Sequence, residues 1–104
     1  MNKEILMVVD AVSNEKGVSK NIIFEAIEFA LATATKRKRG EEIDVRVSIN
    51  REDGEYETFQ RWAVFADDSN ELEDPDKELR LEDALEINQE AEPGGFVEIP
   101  IESV

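Results

Sequence analysis

The amino-acid sequence predicts an α+β domain: two N-terminal helices packed on a small antiparallel sheet, a hairpin plus a short third strand, with an acidic and irregular C-terminal half. Three observations carry that prediction. Apolar residues recur at helical spacing before residue 36, strict alternation follows over residues 43–49, and beyond residue 66 acids crowd in while periodicity fades. With 104 residues, one core is expected, because a domain of this size buries roughly 60–70 % of its unfolded surface and has no material for two.

The elements follow in order. Asn2 is a plausible N-cap, and Ile5, Val8, Val9 and Val12 behind it fall on one helical stripe, so a first helix is expected from about residue 3 to 14. Gly17 supplies the stop, because a helix end often needs a left-handed residue. Ser19 caps a longer second helix with Ile22, Ile23, Ala26, Ile27, Ala30, Leu31 and Ala34 as its apolar set. On a helical projection the apolar positions span about 220°, wider than the roughly 100° stripe of a surface helix. This helix is therefore expected to pack on two sides, with Ile27 among the most buried residues. Lys36-Arg37-Lys38-Arg39-Gly40 ends it, cations suiting the negative end of the helix dipole. Ile43 to Ile49 alternates as a half-buried strand, Arg51-Glu52-Asp53-Gly54 is a turn, and a second strand runs from about Tyr56 to Val64. Apolar groups on both faces of that strand, with Phe59, Ala63 and Phe65 opposite Trp62 and Val64, suggest a bulge or a sheet covered on both sides. Leu79-Arg80-Leu81 is a candidate third strand, residues 82–88 a weak helix, Pro93-Gly94-Gly95 a turn, and Phe96, Ile99 and Ile101 an extended close.

Composition narrows the function classes. There is no Cys and no His, which removes disulfides, thiolate metal sites, cysteine nucleophiles and the commonest general base. No Gly-rich phosphate loop and no nucleophile elbow occur. The chain is read as non-catalytic, with no cofactor. Asp67, Asp68, Asn70, Glu71, Glu73, Asp74 and Asp76 are hard oxygen ligands, but the segment lacks the central Gly and alternation of a calcium loop, so it reads as a solvated loop and no metal site is assigned. Apolar runs are far shorter than the roughly 20 residues a membrane span needs, and Met1-Asn2-Lys3-Glu4 does not open a secretion signal. A cytoplasmic monomer with no membrane contact is expected.

The net charge of −14 is unevenly placed. Residues 1–40 carry seven bases and five acids (+2), residues 41–66 three and seven (−4), and residues 67–104 two and fourteen (−12). One face for an anionic partner and another that repels it would suit this asymmetry. Lys36, Arg37, Lys38 and Arg39 form the sharpest local signal, and Arg46, Arg51 and Arg61 on the hairpin would extend the patch if their faces agree. Trp62 reads as core rather than as a stacking platform. The residues alone leave open an acidic protein-interaction or nucleic-acid-mimic module, whose back half is the active part, and an enzyme accessory subunit.

Whole segments add a resemblance. Met1-Asn2-Lys3-Glu4-Ile5-Leu6 with Val8 to Lys16, Ile23 to Glu28 with Ala30 to Lys36, Glu42 to Val47, Thr58-Phe59, Arg61-Trp62 and Ile101 to Val104 together resemble the N-terminal domain family of the bacterial transcription elongation and termination factor NusA. Departures are Gly95, where the family usually has a Gly-Asp pair, and Phe29, where a smaller residue is usual. The resemblance implies one polymerase-binding domain over residues 1–104, a fragment of a longer protein lacking its S1 and KH RNA-binding domains. It implies binding to RNA polymerase at the β flap-tip helix near the RNA exit channel, with promotion of pausing and intrinsic termination and a part in antitermination. The C-terminal domain of the polymerase α subunit and, weakly, nascent RNA are the further partners implied. Met7, Phe24 and Leu31, at the edges of the two apolar helix faces, are the expected flap-tip groove residues, and the basic patch is assigned to RNA or to an anionic polymerase element.

Overall fold

The computed structural model describes residues 3–102, so the proposed Asn2 cap and the final Ser103-Val104 lie outside the described residues. The chain runs through α1 (Lys3–Lys16), α2 (Lys20–Arg39), β1 (Asp44–Ile49), β2 (Tyr56–Phe65), β3 (Glu78–Arg80), α3 (Leu81–Ile87) and β4 (Phe96–Ile101). The fold is α+β, as expected. α1 ends against Gly17, whose φ of 67° suits glycine and whose amide donates to the Ser13 carbonyl at 2.9 Å. α2 starts after Ser19, although the Ser19 side chain makes no capping bond. At its other end Gly40 has φ 137° and donates to the Lys36 carbonyl, and a Cβ there would come within 2.8 Å of the Glu42 carboxylate.

β2 is the shared strand of a four-stranded sheet. β1 pairs antiparallel with it from Asp44↔Arg61 to Ile49↔Tyr56, and β4 does the same on the opposite edge from Thr58↔Ile101 to Ala63↔Phe96. β3 runs parallel to the end of β2, pairing Ala63↔Glu78 to Phe65↔Arg80. The sheet is thus mixed, where a wholly antiparallel one was expected. The connection over residues 66–77 is a crossover of the dozen or so residues that a parallel return requires, not a tight turn.

Both antiparallel registers are continuous, so the apolar residues on two faces of β2 need no bulge. Among the described residues, no second layer of helices covers the outer face. Val45, Val47 and Ile49 face inward with Tyr56, Thr58, Trp62, Val64 and Val97. On the other face the Arg46 guanidinium lies 4.7 Å over the Phe59 ring and that of Arg61 lies 4.0 Å over Phe96. Arginine stems and planes take the place of a second layer.

The inner face is roofed in two places. Val9 of α1 and Phe24 of α2 pack with Val45, Val47 and Ile49, and Ala84 of α3 packs with Val64 and Val97, flanked by Trp62. Because the roofs sit at different ends of β2, the domain is elongated. Its radius of gyration is 16.4 Å, against about 13 Å for a compact chain of this length. The broad apolar arc of α2 is only partly used. Phe24 is buried against β1, Thr35 is buried with its hydroxyl donating to the Leu31 carbonyl, Ile27 is half-buried rather than among the deepest residues, and Ile22, Ala26, Phe29 and Ala30 face solvent. α1 flanks the helix without closing over that outer side.

Candidate functional site

The packing of α1 on α2 leaves a groove where the helices meet the hairpin. α1 inserts Val9 into the core, which turns Val8 outward to 53 % exposure. Val8 then lines an apolar groove of about 330 Å³ with Glu4, Ile5, Ile27, Leu31 and Tyr56. Of the three groove residues expected from the sequence, Leu31 is in this lining. Met7 is 70 % exposed on α1, outside the lining. Phe24 is corrected: at 3 % exposure it belongs to the core, with the Arg51 guanidinium stacked 4.7 Å above its ring. It sat at the edge of the projected apolar arc, but β1 packs directly on that edge. Sequence reasoning missed Ile5, Val8, Ile27 and Tyr56 as lining. The first two lie on the predicted α1 stripe, while Tyr56 joins them only through its register with Ile49.

The basic cluster forms the last turn of α2. Arg37, Lys38 and Arg39 are exposed and Lys36 is half-buried. None of the four ion-pairs with another described residue. The hairpin arginines do not extend the patch, because each is committed to a carboxylate. Arg46 crosses β2 to Glu98 through two hydrogen bonds, at 2.5 and 3.0 Å. Arg61 binds Asp44 at 2.9 Å across the β1–β2 pair. Arg51 donates to Glu28 at 2.7 Å and to the Ile49 carbonyl at 2.8 Å. These pairs cancel charge locally and hold strands and helix in register, so net positive potential is left to the helix end.

Glu28 is the hub of the last set, since its carboxylate also accepts the Ile49 amide at 2.8 Å. Burial pushes the Glu28 carboxyl up. The Arg51 hydrogen bond, the Ile49 amide and the charges of Arg51 and Arg46 outweigh it, holding the group below its ordinary 4.5. Arg46 is shifted further up, chiefly by its hydrogen bonds to Glu98.

The acidic segment after β2 is more ordered than a plain solvated loop. Arg80 donates to the Asp67 and Ser69 carbonyls at 2.6 and 3.2 Å. The Glu78 carboxylate accepts the Glu73 and Asp74 amides, and Asp67 accepts the Glu82 amide at the start of α3. Asp67 thus caps a helix whose own N-cap residue, Arg80, makes no side-chain cap bond. Among the described residues no cluster of three or more His, Cys, Asp or Glu is arranged to hold a metal ion, and no helix is long and apolar enough to cross a membrane.

An apolar groove, a cationic helix end and hairpin charges locked into pairs are the surface features of this small α+β domain. Residues 4–104 match the NusA N-terminal domain family model. The chain belongs to that family. The transcription termination/antitermination proteins NusA of Rickettsia conorii and Rickettsia prowazekii are each 38 % identical to it over 93 residues, which is 89 % of this chain and 18 % of theirs. The chain therefore spans less than a fifth of the length of those relatives. The solution structure of the N-terminal domain of NusA from B. subtilis is similar to it with a TM-score of 0.74 and 39 % identity, covering 98 % of this chain and 79 % of that one.

Proposed function

We propose that this domain docks a transcription elongation, termination and antitermination factor on RNA polymerase, gripping the β flap-tip helix near the RNA exit channel and promoting pausing and intrinsic termination. The groove of Ile5, Val8, Ile27, Leu31 and Tyr56 carries the reading. Its apolar floor fits helix-in-groove recognition, in which a few apolar anchors supply affinity and a charged rim sets orientation. The cationic turn of α2 is assigned to emerging RNA or an anionic polymerase element, and the C-terminal domain of the polymerase α subunit is a further contact. The domain works as a cytoplasmic monomer, and S1 and KH domains elsewhere in the longer protein carry most RNA binding.

Four phosphate contacts to a single strand give a salt slope of about −2.8, so this patch alone holds RNA weakly above physiological salt. Polymerase supplies the missing affinity by keeping the transcript close, through effective concentration. The test is an NMR titration with a flap-tip peptide beside a pull-down of core polymerase. Amides around Ile5, Val8, Ile27, Leu31 and Tyr56 should move. Val8→Glu, which places a charge at an already exposed position of the groove, should weaken peptide binding at least about tenfold without unfolding the domain. Movement confined to residues 67–102 would overturn the reading in favour of an acidic interaction module.

A further inference from the structure

A second cleft, of about 470 Å³, opens at the other end of β2, and it shares no lining residue with the groove between α1 and α2. Its apolar walls come from Ala63, Phe65 and Ala66 at the end of β2 and from Pro93 and Phe96 at the start of β4, with Ser69 and Glu71 on one side. We propose that this cleft docks a basic peptide segment carrying one large apolar side chain.

Three observations point to that occupant. First, Phe96 is 53 % exposed although Arg61 stacks on one side of it, so a large apolar surface remains open beside Phe65. A hollow of this size takes a Trp- or Leu-sized anchor better than it takes water. Second, the walls are fixed before any partner arrives. The Val64 amide donates to the Gly95 carbonyl and the Gly94 amide to the Val64 carbonyl, both at 2.9 Å, while Arg80 holds the carbonyls of Asp67 and Ser69. A site that need not reorganise loses less on binding. Third, the surroundings are mainly acidic. Glu71 lines the cleft, and Asp67, Asp68, Glu90 and Glu92, close in sequence to its lining segments, are all exposed, while the two bases beside it are engaged, Arg61 with Asp44 and Arg80 with the Asp67 and Ser69 carbonyls. An acidic or nucleic-acid partner would be repelled, whereas lysines and arginines flanking the anchor would be drawn in.

The inference is independent of the polymerase reading. It is tested on the whole chain by NMR titration with a synthetic Lys-Arg-Ser-Trp-Ser-Arg-Lys peptide, with a copy carrying Gly for Trp, and with Val8→Glu protein as a control. The Trp peptide should shift the amides of residues 63–66, 69–71 and 94–96. Replacing its Trp should weaken binding at least about tenfold. The charge-removing pair Asp68→Asn and Glu71→Gln should weaken it severalfold, and Val8→Glu should leave it unchanged. Equal affinity of the two peptides, with shifts scattered over all acidic segments, would reduce the effect to unspecific attraction by a chain of charge −14 and overturn the proposal. So would shifts at Ile5 and Leu31 alone, or no shift at millimolar peptide.

Discussion

Two phenylalanines on α2 give the sharpest test of which way the helix faces. Phe24 and Phe29 have the same chemistry in the same helix, yet the first is 3 % exposed and the second 76 %. Phe24→Ala would remove a ring packed against Val45, Val47 and Ile49 and the platform on which Arg51 lies. Core truncations of this kind cost about 3–5 kcal/mol. A chain of this length has a total stability of about 5–15 kcal/mol, so the loss would take a large share of it. Phe29→Ala should change stability by no more than about 0.5 kcal/mol, since it opens no cavity and alanine favours the helix. Urea denaturation followed by far-ultraviolet circular dichroism reads both. With a slope of about 1–3 kcal/mol per molar, the midpoint for Phe24→Ala should fall by about 2 M, while that for Phe29→Ala stays within a few tenths. A cost under about 1 kcal/mol at Phe24, or an equal cost at Phe29, would show that α2 is rotated and that the groove is misplaced.

Glu28 should make stability depend on pH. Its folded pKa is depressed below 4.5, so its contribution is fully present above the unfolded value and is lost as pH falls through the folded one. Glu28→Gln should cost about 1–2 kcal/mol at pH 7, toward the low end for charged hydrogen bonds because Arg51 is partly exposed, and should flatten the stability profile below pH 4.5. An unchanged profile would refute the assignment. Replacing Lys36, Arg37, Lys38 and Arg39 by Ala should leave the circular dichroism spectrum and flap-peptide affinity unchanged while reducing pause enhancement by polymerase at low salt; undiminished pausing would leave the cluster as a solvated helix end. Ile27→Ala, at a half-buried position, should cost about 2 kcal/mol, less than Phe24→Ala, and a larger cost would restore Ile27 to the centre of the core.

Local signals in the sequence located the elements well. The helix stops at Gly17 and Gly40 and the turn glycine at Gly54 all have the positive φ values their positions demand, because such requirements are written in one or two residues. The α1 stripe and the β1 alternation likewise need only short windows. The direction of β3 was not legible, since the length of the connection before it permits either sense of pairing and only the packing of α3 on β2 and β4 decides. Nor was the true inner face of α2. An apolar arc of about 220° says that more than one side is greasy, not which side a strand will cover. Phe24 and Leu31 lie two turns apart on the same edge of that arc, and their different fates were not written in the arc: Phe24 is buried with Val45, Val47 and Ile49, while Leu31, farther along the helix, is half-buried and lines the groove with Ile5, Val8 and Tyr56.

The arginines show where a linear reading of charge fails. Arg46, Arg51 and Arg61 sit close together in sequence and looked like an extension of the cationic run. Their carboxylates come from α2, from the start of β1 and from β4, with Glu98 separated from Arg46 by 52 residues. Strand register decides these pairs, and register is a property of the assembled sheet. Once they form, the outer sheet face carries alternating charges over stacked rings, a surface with structure but little net potential. The cations at the end of α2 differ because the helix dipole satisfies part of their charge while leaving Arg37, Lys38 and Arg39 exposed and Lys36 half-exposed. Of the seven residues weighed as one basic patch, therefore, only Lys36, Arg37, Lys38 and Arg39 remain available to an anionic partner.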